Sequence, residues 1–130
     1  MNKDSTINYW IESAACDEKA MNTLFDNGHY SWALFIGHLV IEKLLKAFYI
    51  KNKDLDFPHI HQLLRIAEEA GLDLADDQKD FLLEVTTFNI KARYADYKSR
   101  FQKKATREFT ERYIVKIREF REWLQMKINE

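Results

Sequence analysis

Three glycines and one proline in 130 residues leave very few places where this chain can turn tightly. A sheet of several strands needs such residues at most of its hairpins. Helices joined by a few connections are the architecture that remains, and the length accommodates one domain around one core, residues 1–130. The hydrophobic fraction of 46%, with 14% aromatics, is enough to fill that core, while 32% charged residues supply a solvated exterior, so disorder is not expected.

Apolar spacing locates the helices. Ser5 or Thr6 is positioned to cap a first helix whose stripe is Ile7, Trp10, Ile11, Ala14, Met21, Leu24 and Phe25, interrupted at Asp17 and stopped at Asn27-Gly28. A second, from about His29 to Lys53, is apolar on nearly every face and is expected at the centre. Phe57-Pro58 breaks the chain, and a short helix from about His59 to Ala70-Gly71 follows. A fourth begins near Ala75, where Asp76 and Asp77 suit a helix N-terminus, and turns Phe81, Leu82, Val85 and Phe88 inward. A fifth, about Thr106 to Asn129, carries the stripe Phe109, Tyr113, Ile117, Phe120 and Leu124 beside Trp123. The fold expected is all-α: an up-and-down four-helix bundle with one additional short helix, five in all. The segment Asn89–Ala105 between the last two has no apolar period and reads as a long connection, of the kind that often carries function.

The formal net charge of -1 conceals a separation along the chain. Residues 54–90 hold 2 basic and 9 acidic side chains, whereas residues 91–130 hold 12 basic and 6 acidic. Lys91, Arg93, Lys98, Arg100, Lys103, Lys104 and Arg107 crowd together with Asp96 as the one acid among them. Such a positive field attracts phosphate-bearing ligands or an acidic protein face; a solvated run of ordinary cations is the plain alternative.

Within the second segment, His38, Glu42 and Lys46 fall four residues apart and form one polar strip on an apolar cylinder. Asp17, Glu42 and Lys46 are expected to be at least half buried in a single polar cluster between the first two helices. With His38 they either pair with one another or line a polar groove, with Arg93 presenting its planar fork to a phosphate and with Tyr94 and Tyr97 available to stack on a base or to be modified. His59 and His61, one residue apart at a helix start, read as capping or core-satisfying residues, so no metal is expected. Cys16 is the single cysteine; it forms no intrachain disulfide and reads as a small buried hydrophobe. The opening residues carry acids from Asp4 onward and no apolar stretch of the signal-peptide kind, and the longest apolar run, Trp32–Ile41, is too short to span a bilayer. A cytoplasmic location without membrane contact is expected.

Several of these segments, taken in order, carry a resemblance. Tyr9-Trp10 with Ala14 and Asp17, Asn27-Gly28-His29-Tyr30 with Trp32-Ala33-Leu34-Phe35, His38 with Glu42-Lys43-Leu44-Leu45-Lys46-Ala47, His61 with Leu63-Leu64, and Ala92-Arg93-Tyr94 with Asp96-Tyr97 together resemble the HEPN domain. The resemblance implies a helical bundle that commonly dimerises and is often encoded beside a minimal nucleotidyltransferase. Several branches of that family are ribonuclease toxins that use an Arg and a His separated by four to six residues. Counting from Arg93, the corresponding positions are Lys98, Ser99 and Arg100, none of them histidine. Attack by a ribose 2′-OH needs a group that titrates near neutrality, which unperturbed Lys and Arg do not.

The resemblance and the basic segment together point to an accessory subunit. It would bind nucleotide, RNA or a minimal nucleotidyltransferase partner, as a homodimer, in a toxin–antitoxin-type or nucleotide-transfer module. A ribonuclease toxin with a degenerate motif and a purely structural self-associating protein are the alternatives. Glycine-rich phosphate loops, Walker-type lysines and Ser-His-Asp signatures are absent, so neither a cofactor nor independent kinase, ATPase or hydrolase chemistry is expected.

Overall fold

Helix formation follows the apolar spacing, with one addition. In the computed structural model, which describes residues 2–130, α1 spans Lys3–Asp26, α2 Tyr30–Asn52, α3 Leu63–Glu69, α4 Asp76–Lys91, α5 Ala95–Lys104 and α6 Arg107–Asn129. The chain is all-α, with six helices rather than five among the described residues. The additional one, α5, occupies the segment expected to be a connection. Its only buried side chain is Phe101, whose ring lies 5.4 Å from that of Phe88 on α4. One anchor in ten residues generates no period. The ends of α5 nevertheless follow the helix dipole, with Asp96 in the first turn and Lys103 and Lys104 in the last.

α2 is the axis of the molecule. Of its 23 residues 14 are buried, and every other helix packs on it. α1 returns to it through Gly28, whose φ of 78° suits a residue without a Cβ. α6 approaches it at Gly37. A Cβ at that position would stand 2.6 Å from Ile117 Cδ1 and 3.1 Å from Met21 Sδ, so the missing side chain is what lets α1, α2 and α6 meet at one point. Arg121 of α6 grips Glu18 of α1 through Nε and Nη2, at 2.7 and 3.1 Å, and Arg118 donates to Asn22. Lys51 near the end of α2 donates to the carbonyls of Ile128 and Glu130, groups that the last turn of a helix leaves without intrahelical partners.

Helix ends and phases depart from the spacing in several places. Asn2, not Ser5 or Thr6, caps α1, its Oδ1 accepting from the Ser5 N–H at 2.8 Å. α3 starts at Leu63, four residues after His59, and neither His59 nor His61 caps it. Thr106 does cap α6. In the first turns of α6, Thr110 and Ile114 take the innermost positions, leaving Phe109 and Tyr113 half-buried beside Phe88. Cys16 is exposed, not buried, because Ala14 and Met21 are the α1 residues that face the core fully. No described helix is long and apolar enough to cross a membrane.

The contact at Gly37 is testable by a double-variant cycle. Gly37→Ala gains about 1 kcal/mol of helix propensity and loses about 1–3 kcal/mol to overpacking against Ile117. Gly37→Leu is expected to unfold the protein. Ile117→Val, which removes the obstructing Cδ1, costs about 1 kcal/mol alone. In denaturant unfolding the Gly37→Ala/Ile117→Val pair should be more stable than the sum of the single changes; additivity would show that the two positions do not obstruct one another.

Candidate functional site

One face of α2 gathers nearly every residue singled out from the sequence. Trp32, Phe35, His38, Glu42 and Lys46 are spaced three, three, four and four apart, which places them in a row along one side of the helix. The N-terminal half of the row lies against the α4–α5 junction. The C-terminal half is covered by the irregular segment 53–62 and by the start of α1.

The C-terminal half is a buried ionic cluster. His38, Glu42 and Lys46 are 0%, 5% and 9% exposed. Glu42 uses both oxygens: Oε1 meets His61 Nδ1 at 2.8 Å, and Oε2 meets Lys46 Nζ at 3.4 Å. The ammonium of Lys46 also sits 5.3 Å from the Trp10 ring centroid and 5.1 Å from that of Phe57, and those two rings meet edge to face. A buried cation is thus stabilised by a carboxylate on one side and two π-faces on the others. His38 Nε2 is 3.6 Å from Glu42 Oε1, too far for a hydrogen bond, and neither ring nitrogen has a hydrogen-bond partner among the described residues. Burial lowers the His38 pKa from 6.5 to about 4; the charges of His61 and Arg93 act in the same direction, and that of Glu42 opposes them. The ring is therefore neutral at pH 7.

Asp17 is not a member of this cluster. It pairs with Lys43 at 2.6 Å, and Lys43 also donates to Ser13 at 2.8 Å, so the single polar cluster expected between α1 and α2 is two separate ones. Lys43 stands one residue from Glu42, about 100° around the helix, which is enough to turn it toward α1.

The N-terminal half is an exposed platform of aromatic rings and cations. The Phe35 ring stacks on His38, with 6.3 Å between centroids, and meets Trp32 edge to face. The Arg93 guanidinium lies over Phe35 at 5.2 Å and over Tyr94 at 5.4 Å, and the Lys98 ammonium lies over Trp32 at 5.6 Å. Asn89, one turn before Arg93, fixes the guanidinium: Nε donates to its backbone oxygen at 2.9 Å and Nη2 to its Oδ1 at 2.8 Å. This occupies one edge of the plane. A guanidinium has a second two-nitrogen edge, which here has no protein partner among the described residues, and Arg93 is exposed. Tyr94 and Tyr97 are 53% and 50% exposed beside it.

Lys98, a member of the basic run, stands on this platform, and so do Trp32, Phe35 and Asn89, which the sequence did not single out as site residues. The signal was present in spacing: Trp32 and Phe35 extend the His38 row by two helical steps, and Asn89 stands four residues before Arg93. His38 of α2 is sealed, and His61, in the segment before α3, is turned to Glu42; neither stands on the platform. No group of His, Cys, Asp and Glu among the described residues has the arrangement of a metal site.

Comparison with known proteins bears on the whole chain. The family model described as the HEPN domain matches residues 7–127. The crystal structure of TT1696 from Thermus thermophilus superposes with a TM-score of 0.80 at 19% identity, covering 98% of this chain and 99% of that one, and shares its fold. No curated protein matches the chain significantly in sequence.

Two measurements test the buried cluster. His38 has a lower pKa folded than unfolded, so between about pH 4 and 6.5 the unfolded state binds more protons and stability rises with pH; the contribution is complete above 6.5 and is lost as pH falls toward 4. The gap corresponds to about 3 kcal/mol. Thermal unfolding followed from pH 7 to pH 4 should show this slope, and His38→Gln should flatten it. Separately, Glu42→Ala strands a buried ammonium and should cost about 3 kcal/mol or more, whereas Glu42→Leu combined with Lys46→Met should cost much less.

Proposed function

Because the chain belongs to the HEPN domain family, we propose that it binds the phosphate groups of a nucleotide or RNA on the platform of Arg93, Lys98, Trp32 and Tyr94, and that it does not cleave RNA by itself. The observation that carries this reading is the Arg93 guanidinium. It is held on one edge by Asn89, stacked on Phe35, and open on the edge whose two nitrogens match two phosphate oxygens. Preorganisation of that kind lowers the ordering cost of binding. The half-exposed Tyr94, Tyr97 and Trp32 offer ring faces on which a base can stack. Arg100 and Lys103 on α5 extend the positive field around the platform.

Cleavage is a different matter, because a 2′-OH must meet a group able to accept its proton. His38 is neutral at pH 7, as a general base must be, but it is sealed behind Phe35 and out of reach of a bound strand. The positions that would supply the family's histidine are Lys98, Ser99 and Arg100. The reading is therefore of an accessory subunit, one that holds nucleotide or works beside a minimal nucleotidyltransferase in a toxin–antitoxin-type or nucleotide-transfer module. The homodimer belongs to the same reading, supported by the partly exposed Ile36 and Leu39 on α2, a helix otherwise enclosed.

Affinity for a labelled mixed-sequence single-stranded RNA, and for ATP, should fall steadily with ionic strength, since phosphate contacts release counterions. Arg93→Ala should weaken it by roughly tenfold or more, well beyond Lys103→Ala, and Arg93→Lys should not restore it. Salt-insensitive binding, or none, would remove the proposal. Cutting of the RNA that Arg93→Ala abolishes would replace it with a ribonuclease. Sedimentation at micromolar concentration should show a dimer, and a monomer at every concentration would refute the twofold assembly.

A further inference from the structure

A second surface, away from the α2 platform, has a composition that anion binding does not explain. Between the N-terminal half of α4 and the middle of α6 runs a groove of about 600 Å³ with an aromatic floor of Phe81, Tyr113, Phe120 and Trp123. Phe81 and Phe120 lie 5.4 Å apart, as do Phe120 and Trp123. The rim is acidic: Asp77 and Asp80 on the α4 side and Glu119 on the α6 side, with Glu108 and Glu111 along the adjoining face of α6.

These acids differ from those that bridge helices. The acids that stand between helices elsewhere in the molecule are paired: Glu18 with Arg121, Asp17 with Lys43, Glu42 with His61 and Lys46, and Glu84 with Lys104. Among the described residues none of Asp77, Asp80, Glu108, Glu111 and Glu119 has a cation within 4.0 Å. Three cations nearby are engaged with rings instead: Arg112 over Phe109, Lys116, which also lines the groove, over Tyr113, and Lys127 over Trp123. An apolar floor rimmed on both sides by acids that no side-chain cation pairs is complementary to an element that is apolar along one stripe and positive on its flanks.

We propose that this groove docks a cationic amphipathic helix of another protein, its apolar stripe on Phe81, Phe120 and Trp123 and its Lys or Arg side chains against Asp77, Asp80 and Glu119. A furrow between two helices takes a third helix by ridge-into-groove packing. From Tyr113 to Trp123 the floor extends about 15 Å, the length of a three-turn helix. Opposed charges on the flanks set the register and speed the encounter, while the rings supply the buried anchor. The proposal is independent of phosphate binding at Arg93.

The test uses the full chain and a synthetic peptide of about fourteen residues, long enough for three to four helical turns, with a leucine stripe flanked by Lys and Arg. A control peptide carries Glu at every Lys and Arg. In backbone and indole NMR titrations, the cationic peptide should shift Phe81, Tyr113, Phe120 and the Trp123 indole, and the control should not. Asp77→Asn/Asp80→Asn/Glu119→Gln, three exposed positions where substitution spares the core, should weaken binding at least tenfold, as should Trp123→Ala; Arg93→Ala should change nothing. Equal binding of both peptides, shifts confined to the α2 platform, or full affinity in the triple variant would overturn the proposal. So would a peptide-free dimer that Trp123→Ala converts to monomer, since the groove would then belong to a second copy of this chain.

Discussion

The close approach at Gly37 is the constraint on which the remaining architecture depends. Because α2 lacks a side chain there, Ile117 of α6 and Met21 of α1 reach the same point on its surface, and one helix can serve as a shared axis for elements distant in sequence. That position also fixes the rotation of α2. With Gly37 turned to α6 and Leu44 and Leu45 sealed in the core, the row from Trp32 to Lys46 must face the α4–α5 junction and the segment 53–62. The placement of the candidate site follows from the packing of the opposite face.

That row changes character along its length for electrostatic reasons. Toward the C-terminal end of α2 the ionic groups are buried, so each must be compensated locally: Glu42 by Lys46 and His61, and Lys46 further by Trp10 and Phe57. Toward the N-terminal end the cations lie on exposed rings, retain their solvation, and remain free to exchange water for an anion. Phe35 separates the two regimes, with His38 on one face and Arg93 over its ring. The same ring that covers the imidazole gives the guanidinium its seat.

The sequence made most of the helices legible and some of the site. α1, α2, α4 and α6 carry enough apolar residues to reveal a period, and Thr106 announces its helix by cap chemistry. α5 escaped because Phe101 is its only buried residue, and one point defines no stripe. Cys16 and Asp17 show a different limit: composition suggests burial for one and a shared cluster for the other, but a residue's azimuth on a helix is fixed only when the neighbouring helix is in place. His61 neither caps α3 nor joins the core, and its contact with Glu42 across an irregular segment leaves no trace in local spacing. Arg93 was evident from charge density, whereas its support by Asn89 and Phe35 needed three dimensions.

The slender attachment of α5 has an energetic consequence for whatever meets Arg93. A helix of ten residues with Phe101 as its one buried side chain opens at a lower free-energy cost than α2, whose amides are enclosed by neighbours on nearly every side, so the two should stand at opposite ends of the hydrogen-exchange scale. Lys98, Arg100 and Tyr97 reside on the labile element and Trp32 and Phe35 on the rigid one. An anion bridging them would transfer part of its binding energy into protection of the α5 amides, and the ligand itself would act as the second clasp that the core does not provide.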